Sequence, residues 1–151
     1  MASGCIASQE ATVVDVADGD TVDVRFNGSV ETVRLIGVDT PEIHTEVSPE
    51  EFNVPDTEEG RRCLSNWAEK ASRKAKKLEA QEVRLAHNGE RGTYGRLLGY
   101  LYVENRSTSF NYMLVEEGYA RVYESRFKQR SLFLEAQTRA KLNNRGVWSC
   151  N

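Results

Sequence analysis

Alternating apolar residues between Ala11 and Val38 constrain the fold of this chain more than any other feature. Successive side chains of a strand point to opposite faces of a sheet, so apolar residues at every second position predict strands with one buried face. Turn sequences interrupt the pattern at Asp18-Gly19 and at Asn27-Gly28, and both are typical of two-residue hairpin connections. We therefore expect three antiparallel strands, whose inward residues are Val14 and Val16, then Val22, Val24 and Phe26, then Val33 and Leu35.

The rest of the chain alternates between helical and extended patterns. Thr57 and Ser109 each precede an apolar helical pattern, and their hydroxyls can accept a hydrogen bond from the first turn of a helix. The segment between Ile43 and Asp56 has two prolines and no period, and it predicts a mobile surface loop. The expected helices span Thr57 to about Glu79, Phe110 to Glu117 and roughly Phe127 to Asn143, and the fourth and fifth strands span Glu82 to His87 and Leu97 to Val103.

Carboxylates and an arginine cluster where the first predicted strands end. Asp20 and Asp39, with the carbonyl of Thr40, offer oxygen donors of the kind that Ca²⁺ takes in an open, partly hydrated site. Arg34 offers a planar fork of donors that matches phosphate oxygens two at a time. Glu42 is suited to activate or orient a water molecule. Together these residue types indicate a hard metal ion beside a phosphate.

Each piece of this cluster also has an ordinary structural explanation. Asp18-Gly19 is a good hairpin turn, whose residues tolerate positive φ, and the stretch 39–42 suits a loop closed by a proline. Arg34 suits the surface of an edge strand. These explanations treat the pieces separately and do not account for their occurrence together. Antiparallel pairing of the second and third strands is expected to bring Asp20 near Arg34.

The charge and length of the chain limit its function less sharply. A length of 151 residues suits one domain with a single core, taken here as residues 11–149. A net charge of −3 does not indicate a general polyanion binder, so any attraction to nucleic acid must depend on local cationic groups. Residues 1–10 lack the apolar core of a signal peptide. Ala2-Ser3-Gly4-Cys5 resembles the end of a lipoprotein processing site, which would place a lipid on Cys5, whereas an ordinary N-terminal cysteine is the alternative.

Several motifs resemble, in order, those of the staphylococcal nuclease (thermonuclease) family. The resemblance covers roughly residues 10–149, and the combination and order of the motifs are more specific than any one of them. The motifs are Asp18-Gly19-Asp20-Thr21-Val22, Arg34 to Glu42 (RLIGVDTPE), Tyr94-Gly95-Arg96, Asn111 to Val115 with Gly118-Tyr119-Ala120, and Gly146-Val147-Trp148-Ser149.

The resemblance implies an α+β, mainly β fold, a five-stranded OB-fold barrel with three α-helices. It also implies a Ca²⁺-dependent endonuclease that hydrolyses DNA and RNA with low sequence specificity and leaves 3′-phosphate products. The residue roles that it implies are calcium binding by Asp20, Asp39 and the Thr40 carbonyl, a phosphate clamp of Arg34 and Arg96, a general base or water-orienting group in Glu42, nucleotide contacts by Tyr94 and Tyr123, and a less direct role near the metal for Asp18.

Two positions depart from the pattern of the family. Gly92-Thr93 stands where members often carry an acidic-basic pair, which leaves open how Arg96 is held. Ser125 falls about where a second nucleotide-contacting tyrosine would follow Tyr123. We therefore expect nucleotide affinity to be weaker or differently arranged, and turnover to be affected.

Some alternatives stay open at this point. A non-catalytic barrel that binds single-stranded nucleic acid or a peptide is the main alternative to an enzyme, because the fold alone does not fix function. Cys63 and Cys150 would form a disulfide if the protein is exported. We expect a monomer, at the cell surface or outside the cell, although the sequence also permits a cytoplasmic location.

Overall fold

A computed structural model describes residues 7–151 of the chain. Five strands form a closed barrel in the order β1-β2-β3-β6-β5, and two short strands, β4 and β7, pair beside it. The strands are β1 (Ala7–Asp18), β2 (Thr21–Phe26), β3 (Ser29–Leu35), β4 (Val38–Asp39), β5 (Glu82–His87), β6 (Leu97–Val103) and β7 (Arg121–Val122). The mainly β barrel with three α-helices confirms the predicted OB-type class.

The first three strands form the expected antiparallel meander, although its two turns differ in kind. Asn27 and Gly28 both have positive φ, 50° and 79°, as a tight hairpin turn requires. Gly19 does not have positive φ. The reason for glycine there is close packing, since an added Cβ would lie 2.8 Å from Ala71 Cβ and 2.9 Å from Thr40 Cγ2. The explanation of Asp18-Gly19 as a positive-φ turn is therefore wrong.

Strand β1 is longer than the sequence pattern indicates. It begins at Ala7, and residues 7 to 12 pair with β5, so part of the segment predicted as a tail belongs to the barrel. The proposed lipid site at Cys5 lies outside the described residues.

The barrel closes through a short parallel pairing between β3 and β6. Only Val33, Arg34 and Leu35 have partners on β6 in the described register, namely Leu97, Leu98 and Gly99. Beyond this pairing the fully buried Asn111 side chain connects the two strands. Its Nδ2 donates to Ile36 O at 3.0 Å and to Gly99 O at 3.1 Å, and its Oδ1 accepts from Leu101 N at 3.1 Å.

Three α-helices pack on the barrel and begin close to their predicted positions. They are α1 (Glu58–Lys76), α2 (Phe110–Glu116) and α3 (Arg130–Leu142). Thr57 caps α1 by accepting from Gly60 N at 3.0 Å, and Ser109 caps α2 by accepting from Tyr112 N at 3.0 Å, as predicted. Helix α3 begins three residues later than expected. No helix among residues 7–151 combines the length and apolar character needed to cross a membrane.

The segment between Ile43 and Asp56 is largely irregular, as predicted, but apolar side chains anchor part of it to the fold. Pro49–Phe52 forms a 3₁₀ turn, and the buried side chains of Val47, Phe52 and Val54 anchor the segment. These residues pack in a second apolar cluster, separate from the barrel core, together with Leu64, Ala140, Val147 and Trp148. The anchoring residues follow no helical or strand period, so periodicity could not reveal them.

A disulfide joins Cys63 of α1 to Cys150 at the end of the chain. Cys150 packs against the second cluster, so the bridge holds the C-terminal 3₁₀ segment, Gly146–Cys150, on α1. The closed loop is long, with a sequence separation of 87 residues. A crosslink of this length restricts the unfolded chain strongly.

Reduction of this disulfide is expected to lower the free energy of unfolding by about 2–4 kcal/mol. Urea denaturation followed by tryptophan fluorescence, with and without dithiothreitol, measures the difference. The Cys63→Ser/Cys150→Ser variant is the control, because its midpoint should equal that of the reduced parent and should not respond to the reductant. Equal midpoints for the oxidised and reduced parent would contradict the expectation.

Candidate active site

One cleft of about 790 Å³ collects nearly all of the residues singled out in the sequence. It opens beside the barrel between the 43–56 segment, the turn before β6 and the segment that follows β7. Tyr94 is the exception, since its side chain is 92% exposed and lies outside the cleft lining. The predicted residues that line the cleft are Asp18, Asp20, Arg34, Asp39, Thr40, Glu42, Arg96 and Tyr123.

The turn between β1 and β2 places Asp20 at the floor of this cleft. The Asp20 amide donates to Asp18 Oδ1 at 3.1 Å, which shapes the turn. On the other side, Asp20 Oδ2 accepts from Thr40 N at 3.0 Å and so connects the turn to the chain after β4. Asp20 is only 4% exposed. The close approach of Gly19 to Thr40 and Ala71 is what allows this short connection.

Arg34 lies between the two predicted metal-binding carboxylates. Thr21 of β2 is opposite Arg34 of β3 in the strand register, so the expected pairing does bring Asp20 and Arg34 together. Arg34 Nη2 lies 3.4 Å from Asp20 Oδ2 and 3.7 Å from Asp39 Oδ1. Its Nη1 donates to Leu35 O at 2.9 Å and to Val38 O at 2.7 Å. The backbone therefore fixes one end of the guanidinium, and its other nitrogen faces the acids of the cleft.

Arg121 is a residue of this site that sequence reasoning missed. It pairs with Asp39 in the β4–β7 register, and its Nε donates to Asp39 Oδ2 at 2.9 Å. Its Nη2 donates to Glu51 Oε2 at 3.2 Å, on the 43–56 segment. The two contacts join residues separated by 82 and 70 positions. No local motif marks such a pair. The one usable signal was that Arg121 stands in a short extended stretch immediately before Tyr123, a predicted site residue.

Burial and mutual repulsion disfavour ionisation of the acids around the turn. Desolvation, followed by the adjacent Asp20, raises the pKa of Asp18 to about 8. Burial also opposes ionisation of Asp20, but the Arg34 charge and several hydrogen bonds outweigh it and hold the Asp20 pKa below its ordinary value. The Asp18 carboxyl therefore keeps its proton to higher pH than the Asp20 carboxyl.

The acids that follow β3 experience the same environment. Burial raises the pKa of Asp39 to about 6, although the neighbouring Arg121 charge favours the carboxylate. The pKa of Glu42 is also raised, first by partial desolvation and then by the charge of Asp20. The cleft thus holds more acidic groups than its arginines neutralise, and a bound cation would favour the ionised form of each.

The donors present fit a partly hydrated Ca²⁺ better than a metal ion enclosed by side chains. Among residues 7–151, no group of three or more His, Cys, Asp or Glu side chains is placed to hold a metal ion by itself. Asp20 and Asp39 approach one Arg34 nitrogen from two sides, and both are oxygen donors. Ca²⁺ accepts carboxylates, backbone carbonyls and water in one shell. Two carboxylates and the Thr40 carbonyl suit that shell if water completes it.

Arg96 and Tyr94 lie at the turn that precedes β6. Arg96 Nε donates to Thr93 O at 3.1 Å, and its guanidinium carbon lies 5.8 Å from the centre of the Tyr94 ring. Tyr94 has a left-handed backbone conformation with φ of 63°. Arg34 pairs with Leu98, two residues after Arg96, so Arg34 and Arg96 start from the same face of adjacent strands.

Tyr123 forms part of the opposite wall, where it is 46% exposed. The guanidinium carbons of Arg34 and Arg121 lie 5.6 Å and 5.9 Å from the centre of its ring. Ser125 also lines the cleft. The ring therefore lies beside two arginines of the cleft.

Comparisons with known proteins match most of the chain. A family sequence model described as "Staphylococcal nuclease homologue" matches residues 32–150. An uncharacterized protein of Methanocaldococcus jannaschii is 40% identical over 147 residues, which cover 91% of this chain and 70% of that protein. The protein named thermonuclease of Staphylococcus intermedius is 36% identical over 146 residues, or 95% of this chain and 78% of that protein. A prophage-derived endonuclease of Bacillus subtilis is 32% identical over 148 residues, and the match covers 94% of this chain but 45% of that protein.

Proposed function

The chain belongs to the staphylococcal nuclease family, and on that premise we propose that it is a Ca²⁺-dependent nuclease that hydrolyses DNA and RNA with little sequence specificity. The observation that carries the proposal is the convergence on one cleft of carboxylates from two connections, Asp20 and Asp39, with Arg34 between them. A guanidinium beside carboxylates is the combination needed to bind a phosphodiester next to a hard cation.

Asp20, Asp39 and the Thr40 carbonyl are the groups that would hold Ca²⁺. When bound there, the ion would supply Lewis-acid stabilisation of a phosphoryl oxygen and would neutralise charge on the reacting phosphate. Arg121 supports this arrangement because its bond to Asp39, at 2.9 Å, fixes one carboxylate oxygen and leaves the other directed toward Arg34.

Arg34 and Arg96, which extend from neighbouring positions at the β3–β6 pairing, would bind the scissile phosphate together. In-line attack by water forms a bond from the water oxygen to phosphorus and adds negative charge to the equatorial oxygens. Guanidinium groups held in the cleft would stabilise that charge with little reorganisation. Tyr123 and Tyr94 would contact the flanking nucleotide by stacking and hydrogen bonding.

Glu42 would orient the attacking water and accept its proton. Its side chain is exposed to the cleft, close enough to the acids around Asp20 to experience their charge. The bond from phosphorus to the 5′ oxygen then breaks, and the leaving oxygen takes a proton from solvent. The products are a 3′-phosphate and a 5′-hydroxyl, so analysis of the product ends tests this part of the proposal.

Removal of Ca²⁺ is expected to reduce hydrolysis of single-stranded DNA, double-stranded DNA and RNA by more than about tenfold. The measurement is the release of labelled fragments with excess EGTA, followed by restoration with Ca²⁺, beside a calorimetric Ca²⁺ titration of the parent protein and an Asp20→Asn variant. Full activity in EGTA would contradict the calcium requirement. Binding of oligonucleotides without cleavage under any of these conditions would instead identify a non-catalytic module.

A further inference from the structure

A bidentate ion pair outside the predicted site connects β3 to the turn that carries Arg96. Arg91 Nη1 donates to Glu31 Oε2 at 2.9 Å, and Arg91 Nη2 donates to Glu31 Oε1 at 3.0 Å. The same Nη1 donates to the Gly95 carbonyl at 2.8 Å. One guanidinium therefore holds a strand of the barrel and the residue immediately before Arg96.

The turn itself, residues 92–95, folds back between two points of contact. Gly92 N donates to Arg96 O at 2.8 Å, and Arg91 forms an isolated antiparallel bridge with Leu97. Within the turn, Tyr94 and Gly95 both have positive φ, 63° and 73°. Left-handed conformation costs energy for a tyrosine, so surrounding contacts must maintain the shape of this turn.

Arg96 depends on this turn for its orientation. Its Nε donates to Thr93 O, and its guanidinium lies beside the ring of Tyr94. Both of these residues are inside the turn. Neither partner is anchored in the core, since both side chains are exposed. A shift of the turn would therefore carry Arg96 with it.

We propose that the Glu31–Arg91 pair is a positioning element that fixes the 92–95 turn and thereby directs Arg96 at the phosphate in the cleft. This inference rests on the proposed nuclease function. It also explains why the turn needs no acidic-basic pair at Gly92 and Thr93. The charged pair that holds the turn is instead Glu31 of β3 with Arg91.

Because the Glu31–Arg91 pair is exposed, we expect its loss to affect turnover more than stability. The Arg91 and Glu31 side chains are 48% and 27% exposed, and ion pairs in such positions contribute little to stability. The two parallel hydrogen bonds of a bidentate pair do fix orientation. Displacement of a catalytic group by about 1 Å is enough to reduce turnover severely.

The primary test compares turnover and stability in Arg91→Ala and Glu31→Gln. We expect kcat on DNA to fall by about tenfold in each variant, while the urea midpoint stays close to that of the parent. The exchange of both charges, Glu31→Arg with Arg91→Glu, should recover part of the lost kcat. The control is the Arg62–Glu58 pair of α1, which is exposed and lies outside the cleft lining, so Arg62→Ala should retain parental kcat.

A double-mutant cycle with Arg96→Ala distinguishes positioning from a general structural effect. If Arg91 acts through Arg96, Arg91→Ala should cause no further loss of kcat in the Arg96→Ala background. Losses that multiply in the double variant, or a parental kcat for both Arg91→Ala and Glu31→Gln, would overturn the inference while leaving the nuclease proposal intact. A folded parent that does not cleave DNA or RNA with Ca²⁺ would overturn the nuclease proposal, and the positioning role with it.

Discussion

Replacement of Arg34 by alanine is expected to lower turnover on DNA by about 10²–10³-fold. Arg34 lies near both predicted calcium ligands, 3.4 Å from Asp20 Oδ2 and 3.7 Å from Asp39 Oδ1, and its Nη1 is fixed by two backbone carbonyls. Its removal takes away a preorganised donor to the charge that develops on phosphate. Initial rates with saturating DNA and Ca²⁺ measure the effect.

Two further variants define the reason for that loss. Arg34→Lys keeps a positive charge but lacks the planar fork, so its turnover should lie between those of the parent and Arg34→Ala. Arg25 is an exposed arginine of β2 outside the cleft lining, and Arg25→Ala is the matched control for a general loss of positive charge. Parental turnover in a folded Arg34→Ala protein would exclude Arg34 as a phosphate-binding residue.

The Glu42→Gln variant is expected to lose about 10²–10⁴-fold in turnover. Glutamine has nearly the same shape as glutamate and still accepts a hydrogen bond, but it does not take a proton from water at neutral pH. The loss should appear in kcat, because Glu42 is exposed and lines the cleft, so its replacement leaves the packing of the barrel core unchanged. Single-turnover cleavage of a short oligonucleotide isolates the chemical step from product release.

Glu46 provides a control for the electrostatic part of this change. It is exposed, follows Glu42 by four residues and also lines the cleft, so Glu46→Gln removes an equal negative charge. Both variants should bind the anionic substrate slightly better, and only Glu42→Gln should cleave it more slowly. Equal cleavage rates for the two variants would exclude Glu42 as the group that activates water.

The sequence contains enough local information to predict the barrel meander and the helix starts. Alternating valines define which face of β2 and β3 is buried, and the turn at Asn27-Gly28 fixes the β2–β3 register. In β1 the prediction of an inward Val14 is wrong, because a register shift after Val13 buries Val13 instead. That register alone places Arg34 beside the turn of Asp20. The caps at Thr57 and Ser109 are equally local, because each hydroxyl bonds an amide three residues later.

Other parts of the site depend on partners that are distant in sequence. Arg121 reaches Asp39 across 82 residues and Arg91 reaches Glu31 across 60, and neither arginine stands in a pattern that names its partner. The anchoring of the 43–56 segment could not be predicted for a related reason. Its apolar residues are spaced irregularly and are buried only because α1, α3 and the C-terminal segment supply the opposite surface of the second cluster.

The short parallel pairing of β3 and β6 forms the seam at which the barrel closes, and it affects the spacing of the Arg34 and Arg96 guanidinium groups. Arg34 belongs to β3, Arg96 immediately precedes β6, and the few hydrogen bonds of the seam, extended by the buried amide of Asn111, determine how far apart these strands lie. The spacing of two hydrogen-bonded strands, about 4.8 Å, therefore sets the separation of the backbones from which the two proposed phosphate-binding arginines extend. A substrate with a bulkier backbone would have to be accommodated by the Arg96 turn and by side-chain reach, because the strands of the seam cannot separate without losing their hydrogen bonds.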